Sequence, residues 1–335
     1  MIAAAATASD ALARGVLAGR ARAIGQAISE VERDSGAVPE ILRHVFGRTG
    51  RARIIGITGP PGAGKSTLVQ RLAQAYRKAG RTVGIVAVDP SSPFTGGAIL
   101  GDRIRMAEIY TDPGVFIRSM ATRGYLGGLA RATSDAVDVL DAAGFEVILV
   151  ETVGVGQDEV DIVRAADTVA VVLVPGLGDD IQAIKAGILE IADVFIVNKA
   201  ERDGADRAVA DLSMVLDFAD HEAWRPPIVK TTAPTAAGVP EAVQALEAHG
   251  RHLAESGEGE KRRAVRARSR LLALLESRFR RIVEARAPEP DGLEEAIASV
   301  LARREDPYSA ASRLFGRLVL EPDAAPASGA AGSRG

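Results

Sequence analysis

Residues 53–67 read RIIGITGPPGAGKST, and this stretch decides the fold. A short β-branched apolar run, RIIGIT, leads into a glycine-rich turn and then into a helical pattern. The turn fits the spacing G-x-x-x-x-G-K-[ST] from Gly59 to Thr67. That spacing, between a strand and a helix, builds a cradle for phosphate groups. Gly62 and Gly64 let the backbone turn so that its N–H groups point inward, and Gly59, Pro60, Pro61 and Ala63 complete the loop. Lys65 adds a cation for the β- and γ-phosphates, and Ser66 offers a hydroxyl suited to Mg²⁺. The positive end of the following helix faces the same point. Lysine is scarce in the chain: Lys65, Lys78, Lys185, Lys199, Lys230 and Lys261 are all there are among 41 Lys and Arg. A compact ammonium kept inside this motif therefore carries weight.

Outward from the turn, six more short apolar runs recur: 82–89, 115–120, 146–151, 168–174, 193–199 and 226–231. They are nearly continuous rather than alternating, so both faces of each strand are expected to be covered. Helical stretches fall between most of them. The pattern predicts an α/β fold, a mostly parallel doubly wound sheet, over residues 51–255. An N-terminal helical extension is expected over 1–50, where Leu12, Val16, Ile24, Ile28 and Val31 sit at helical spacing. That stretch is Ala- and Arg-rich, but Asp10, Glu30 and Glu32 favour an amphipathic helix over a transit peptide. A helix is expected at 239–254, then a charged break at 255–263. Residues 256–320 read as a helical arm, with Leu271, Leu275, Phe279 and Ile282 in one stripe and Asp291 placed to cap a further helix. Residues 321–335 have the composition of a disordered tail.

Composition narrows the function classes. The 335 residues are 47% hydrophobic but only 4% aromatic, with a formal net charge of −3, which argues against a nucleic-acid partner. Cysteine is absent, which excludes disulfides, thiolate metal sites and thiol nucleophiles. No apolar run is long and uncharged enough to suggest a membrane span, and a cytoplasmic setting is expected. His249 and His252 share a helical face, and such an exposed pair is expected to be solvated rather than metal-bound.

The nucleotide base is read from a later strand end. Asn198-Lys199-Ala200-Glu201 has the N-K-x-D spacing of a guanine site with Glu in the fourth position. The longer acid still accepts both hydrogen bonds from the guanine edge, and Asp203 is an alternative in a remodelled loop. Thr232 and Ala233, after the next strand, stand where a backbone contact to guanine O6 is expected. Asp89 and Glu151 each end a strand, as acids near a nucleotide-bound Mg²⁺ do. Glu151-Thr152-Val153-Gly154 has D-x-x-G spacing, and Gly154 is placed to offer an N–H to the γ-phosphate. Val155 stands where fast switch GTPases often carry a water-orienting Gln, so hydrolysis without a partner is expected to be slow. Residues 91–106 have switch-loop composition, with Asp102 and Arg105 near the end. Residues 175–187, PGLGDDIQAIKAG, follow another strand; glycines give this loop freedom, and Asp179, Asp180, Gln182 and Lys185 give it charge and hydrogen-bonding groups.

GPPGAGKST, VDPSSPFTGGAILGDRIRM, ETVGVGQDE, VPGLGDDIQAIKAGILEIADVFIVNKA and DPYSAASRLF follow one another in the order found in the MeaB/MMAA/ArgK group of P-loop GTPases. The chain resembles that group over most of its length. The resemblance implies a GTP- and GDP-binding, GTP-hydrolysing metallochaperone of an adenosylcobalamin-dependent acyl-CoA mutase, most typically methylmalonyl-CoA mutase. Ethylmalonyl- or isobutyryl-CoA mutase is the alternative client, and a P-loop kinase or transport-linked ATPase is the alternative class. The resemblance further implies a homodimer joined through the C-terminal helices. It assigns Asp89, Asp102 and Glu151 with Ser66 to the Mg²⁺ shell and places 175–188 at a switch III loop that couples to the client. Glu201 departs from the group's usual Asp.

Overall fold

The computed structural model describes residues 2–89, 107–121, 128–152, 162–176, 190–218, 223–286 and 292–320. Seven strands form one sheet: β1 (Arg53–Thr58), β2 (Val83–Asp89), β3 (Val115–Ala121), β4 (Val147–Thr152), β5 (Thr168–Leu173), β6 (Val194–Asn198) and β7 (Ile228–Thr231). Their order is β3-β2-β4-β1-β5-β6-β7, and every neighbouring pair is parallel. All seven expected strands are present within a residue or two. The reason is visible in the side chains. Along β1, Ile55 and Ile57 enter one buried cluster and Ile54 faces the other side. Along β4, Val147 and Leu149 take the first side and Ile148 and Val150 the second. A strand covered on both faces has no polar side to show, hence the unbroken apolar runs.

One face is covered by α4 (Lys65–Lys78) and α8 (Val239–Glu255), whose Leu68, Leu72, Ala242 and Leu246 are fully buried. The short helix α5 (Ala107–Tyr110) adds Ile109 to the same cluster. The other face carries α6 (Gly128–Ala142), α7 (Ala205–Phe218) and the N-terminal helices α1 (Ile2–Leu17), α2 (Ala21–Glu32) and α3 (Val38–Val45). Val16, Ile24, Ile28, Ile41 and Val45 share a core with Val86, Val88, Ile148 and Val150. The N-terminal stretch is therefore part of the sheet's own core. Its first 32 residues are also two helices, α1 and α2, not one. Gly19 turns the chain with φ +67°, and Gly15 lets the helices approach, since a Cβ there would lie 2.6 Å from the Ala23 Cβ.

The described chain divides into two compact units, one ending at Ala267 and the next beginning at Arg268, within helix α9 (Glu258–Ala285). The expected break at 255–263 is confined to Ser256 and Gly257, with Gly257 at φ +73°; the charged residues after it are helical. In the second unit, α10 (Leu293–Leu301) takes Gly292 rather than Asp291 as its N-cap. Asp306 caps α11 (Pro307–Leu320), accepting the N–H of Tyr308 at 2.9 Å and of Ser309 at 3.1 Å. Phe279 and Phe315 pack with ring centroids 5.7 Å apart. Leu271 and Leu275 are each 63% exposed. Among the described residues no helix is long and apolar enough to cross a membrane.

The amino-terminal edge of the sheet holds a buried polar cluster that corrects one expectation. His249 is fully buried, not solvated. Its Nδ1 lies 2.8 Å from Thr168 Oγ1, its Nε2 lies 3.2 Å from Asp193 Oδ1, and its ring packs at a tilt against Trp224, which His252 also contacts. Arg262 donates to both Asp193 oxygens at 3.0 and 3.1 Å, and the Val169 N–H donates to Asp193 at 2.8 Å. Arg266 pairs with Asp167 one strand over. Helix α8 lies across this edge, so a position on its helical face is covered by a neighbouring element. Burial, helped by the Arg262 cation, lowers the His249 pKa to about 3. Burial also raises Asp193, against the opposing pull of Arg262.

Unfolded His249 takes a proton near its ordinary value of about 6.5, and the folded ring resists it down to about 3. Stability is thus complete above pH 6.5 and falls as pH drops below it. Asp193 works the other way from the ordinary carboxylate value upward, because its raised folded pKa makes stability fall as pH rises through that window. Between pH 7 and pH 5 the histidine should cost about 2 kcal/mol. Urea unfolding of His249→Gln should show a smaller loss over that interval than the parent; an equal loss would assign the slope to other groups.

Candidate functional site

Parallel strands bring their carboxyl ends to one edge, where open α/β sheets bind ligands. β1 ends at Thr58, the loop runs from Gly59 to Gly64, and α4 begins at Lys65. Two glycines are sterically required. A Cβ on Gly59 would lie 2.1 Å from the Val172 carbonyl oxygen, and a Cβ on Gly64 would lie 2.6 Å from Asn198 Nδ2. Gly59, Gly62 and Gly64 all have positive φ. Helix α4 has Gly64 as its N-cap with no side-chain cap, so the first turn faces the loop without a capping oxygen. Lys65 is 5% exposed and donates from Nζ to the carbonyls of Gly59 at 2.6 Å and Pro60 at 2.9 Å. The ammonium is thus held inside the loop's curve. Pro61, Ala63 and Thr67 lie in the same loop and helix start.

Two hard oxygen donors meet beside it. Ser66 Oγ donates to Glu151 Oε1 at 2.6 Å. Glu151 is buried near the end of β4, and the next residue, Thr152, donates its hydroxyl to Thr58 at 2.9 Å. That bond ties the end of β4 to the end of β1. Asp89 is the last residue of β2, the strand on the other side of β4. A hydroxyl at a helix start and a carboxylate near a strand end form a donor set that fits Mg²⁺, which binds oxygen and keeps several waters. Asp102, Arg105, Gly154, Asp179, Asp180, Gln182 and Lys185 lie outside the described residues.

The third component arrives on β6. Asn198 is 1% exposed and makes three hydrogen bonds. Its Nδ2 donates to the Ala63 carbonyl at 2.8 Å; its Oδ1 accepts from Thr231 Oγ1 at 3.0 Å and from the Ala233 N–H at 3.2 Å. Lys199 has φ +58°, a left-handed conformation uncommon for a side chain of its size, and its Nζ reaches the Gly62 carbonyl at 2.7 Å. The Ala200 N–H donates to Thr231 O at 3.0 Å. Glu201 lies exposed in the turn that follows, as does Asp203. Thr232 and Ala233 enter a 3₁₀ turn, Ala233–Thr235. The structure therefore brings Gly59–Thr67, Glu151, Asn198–Glu201 and Thr232–Ala233 to one edge of the sheet. One contributor escaped sequence reasoning. Arg71 donates to the carbonyls of Ala233 at 3.1 Å and Pro234 at 3.0 Å. Nothing local marks it, since an arginine in mid-helix reads as surface.

Methylmalonyl Co-A mutase-associated GTPase MeaB is the family that matches residues 20–287. The chain belongs to that family. A Pyrococcus horikoshii protein provisionally named a GTPase is 49% identical over 314 residues, 92% of this chain and 98% of its own. The mouse protein named methylmalonic aciduria type A homolog, mitochondrial, is 36% identical over 209 residues, 61% of this chain and 50% of its own. The crystal structure of a LAO/AO transport system kinase has the same fold. It superposes with TM-score 0.69 at 24% identity, over 93% of this chain and 98% of that one. The chain is thus a P-loop GTPase, and its parallel sheet and phosphate loop are those of the class.

Gly64→Ala provides a test of the loop geometry. The added Cβ meets a buried amide and must adopt a positive φ. Binding of a fluorescent GTP analogue should weaken by at least about tenfold while the far-ultraviolet circular dichroism stays native. Unchanged affinity would mean the cradle is not formed as described.

Proposed function

We propose that this GTPase binds GTP with Mg²⁺ at the edge just described and acts as a chaperone of an adenosylcobalamin-dependent acyl-CoA mutase, with methylmalonyl-CoA mutase as the first candidate. The observation that carries the nucleotide reading is the Asn198 amide, which joins the phosphate loop to the end of β7 and the turn after it. Gly59–Thr67 hold the phosphates, with Lys65 against the β- and γ-groups. Ser66 and Glu151, with Asp89, and with Asp102 implied by family, supply oxygen around Mg²⁺. When bound, the metal neutralises charge on the transferring phosphoryl group. Asn198, Lys199 and Glu201 read guanine, with Thr232 and Ala233 closing over it. The client rests on the family, whose name associates it with that mutase. Adenosylcobalamin delivery and protection of the mutase, a homodimer and a cytoplasmic setting belong to the same proposal. The region 175–188, with Asp179, Asp180, Gln182 and Lys185, is its proposed coupling loop.

Lys65→Ala should lower kcat for GTP by two or more orders of magnitude, because a positioned charge on the phosphoryl group contributes several kcal/mol. Near-parental turnover would remove Lys65 from the mechanism. The parent should bind GTP far more tightly than ATP in competition, and Glu201→Ala should narrow that gap. Co-purification with a mutase from the source cells tests the client directly.

The exposed Leu271 and Leu275 motivate the dimer. Leu271→Glu with Leu275→Glu should shift the mass measured by light scattering toward the monomer while basal GTP hydrolysis stays within about twofold. A dimer mass unchanged by both charges would move the interface elsewhere.

A further inference from the structure

Arg71 sits six residues beyond Lys65 on α4, about 9 Å further along the helix at the usual rise per residue. Its guanidinium spans two consecutive carbonyls of the turn after β7. Nε donates to Ala233 O at 3.1 Å and Nη2 to Pro234 O at 3.0 Å. Nη1 donates to Gln74 Oε1 at 2.9 Å, one helical turn on, which fixes the plane of the fork. Ala233 itself is fully buried against the α4 side of the core. Besides the Ala233 N–H bond to Asn198 Oδ1 at 3.2 Å, the turn is held by short local bonds: Thr232 N to Ala237 O at 2.9 Å, Thr235 N to Thr232 O at 3.1 Å and Ala236 N to Ala233 O at 3.1 Å. Ala236 adopts φ +60°, so the turn is not a relaxed default of its sequence.

The same helix thus holds both ends of the site. Its first residues, Lys65 and Ser66, face the phosphate loop, and Arg71 grips the turn that carries Thr232 and Ala233. The planar fork reaches both carbonyls while its third nitrogen engages Gln74, a fixed three-way geometry that a flexible lysine ammonium does not reproduce.

We propose that Arg71 is a positioning residue for the base: it braces the 232–235 turn against α4, sets the distance between phosphate cradle and base turn, and thereby governs how long a guanine nucleotide stays bound. This rests on the guanine reading proposed above. A brace on the base turn should affect nucleotide retention and not the phosphoryl step. That separates it from a residue that merely stabilises the fold.

The test uses the full chain with Mg²⁺ and compares Arg71→Met and Arg71→Lys with the parent. Three quantities are read: the release rate of a fluorescent GDP, the KM and kcat for GTP, and inhibition by inorganic tripolyphosphate, which has no base. Arg71→Met should release GDP and raise the GTP KM by about tenfold, the loss expected for charge-assisted hydrogen bonds. The kcat at saturating GTP and the tripolyphosphate inhibition should stay within about twofold. Arg71→Lys should fall between. If Arg71→Met does not fold, the intermediate release rate of Arg71→Lys alone carries the test. Parental GDP release in either folded variant would overturn the proposal, and so would an equal loss of tripolyphosphate binding. The guanine reading fails separately, by equal binding of GTP and ATP to the parent.

Discussion

The Asn198 carboxamide makes three hydrogen bonds to two segments far apart in sequence, and the shape of the site depends on all three bonds. Its nitrogen holds the phosphate loop at Ala63; its oxygen holds the end of β7 at Thr231 and the turn beyond at Ala233. A buried amide that lost one of these partners would retain an uncompensated donor or acceptor, at a cost of about 1–3 kcal/mol. The amide is thus a tie that opposes movement of either segment alone. Gly64 is part of the same arrangement, because any side chain there would push directly on the amide nitrogen.

Around that tie the sheet divides its labour between two edges. The carboxyl edge gathers Lys65, Ser66, Glu151, Asn198 and Lys199. The amino edge carries Asp167, Asp193 and His249, gripped by Arg262 and Arg266 from the start of α9. Strands β5 and β6 run between the two. β6 has Asp193 immediately before its first residue and Asn198 as its last. Displacement of the helix start at one edge and of the Thr231–Ala233 segment at the other therefore act on opposite ends of one five-residue strand.

Much of this was legible in the sequence, for physical reasons. A strand buried on both faces must be apolar throughout, so RIIGIT and TVAVVL declared themselves. A phosphate loop needs its glycines at fixed spacing, and Asn198 and Lys199 stand out as polar residues at the end of an apolar strand. What was not legible depended on tertiary neighbours. His249 lies on an ordinary amphipathic helix, and only the placement of α8 across the amino edge, beside Trp224, makes it buried. Arg71 has no local signature, because its partners are backbone carbonyls 162 and 163 residues away. The break between α1 and α2 at Gly19 was hidden within one continuous helical periodicity.

The strand order also bears on how the chain is made. β1 pairs only with β4 and β5, so the first strand synthesised has no partner until Val147 has been added. At roughly 5–20 residues per second of synthesis, that gap corresponds to a wait on the order of 5–20 s. During the wait β2 and β3 are able to pair, but RIIGIT is left as an open apolar edge on both sides. The central position of β1, which gives the finished protein its cradle, makes that same strand the one that needs shelter longest on the ribosome.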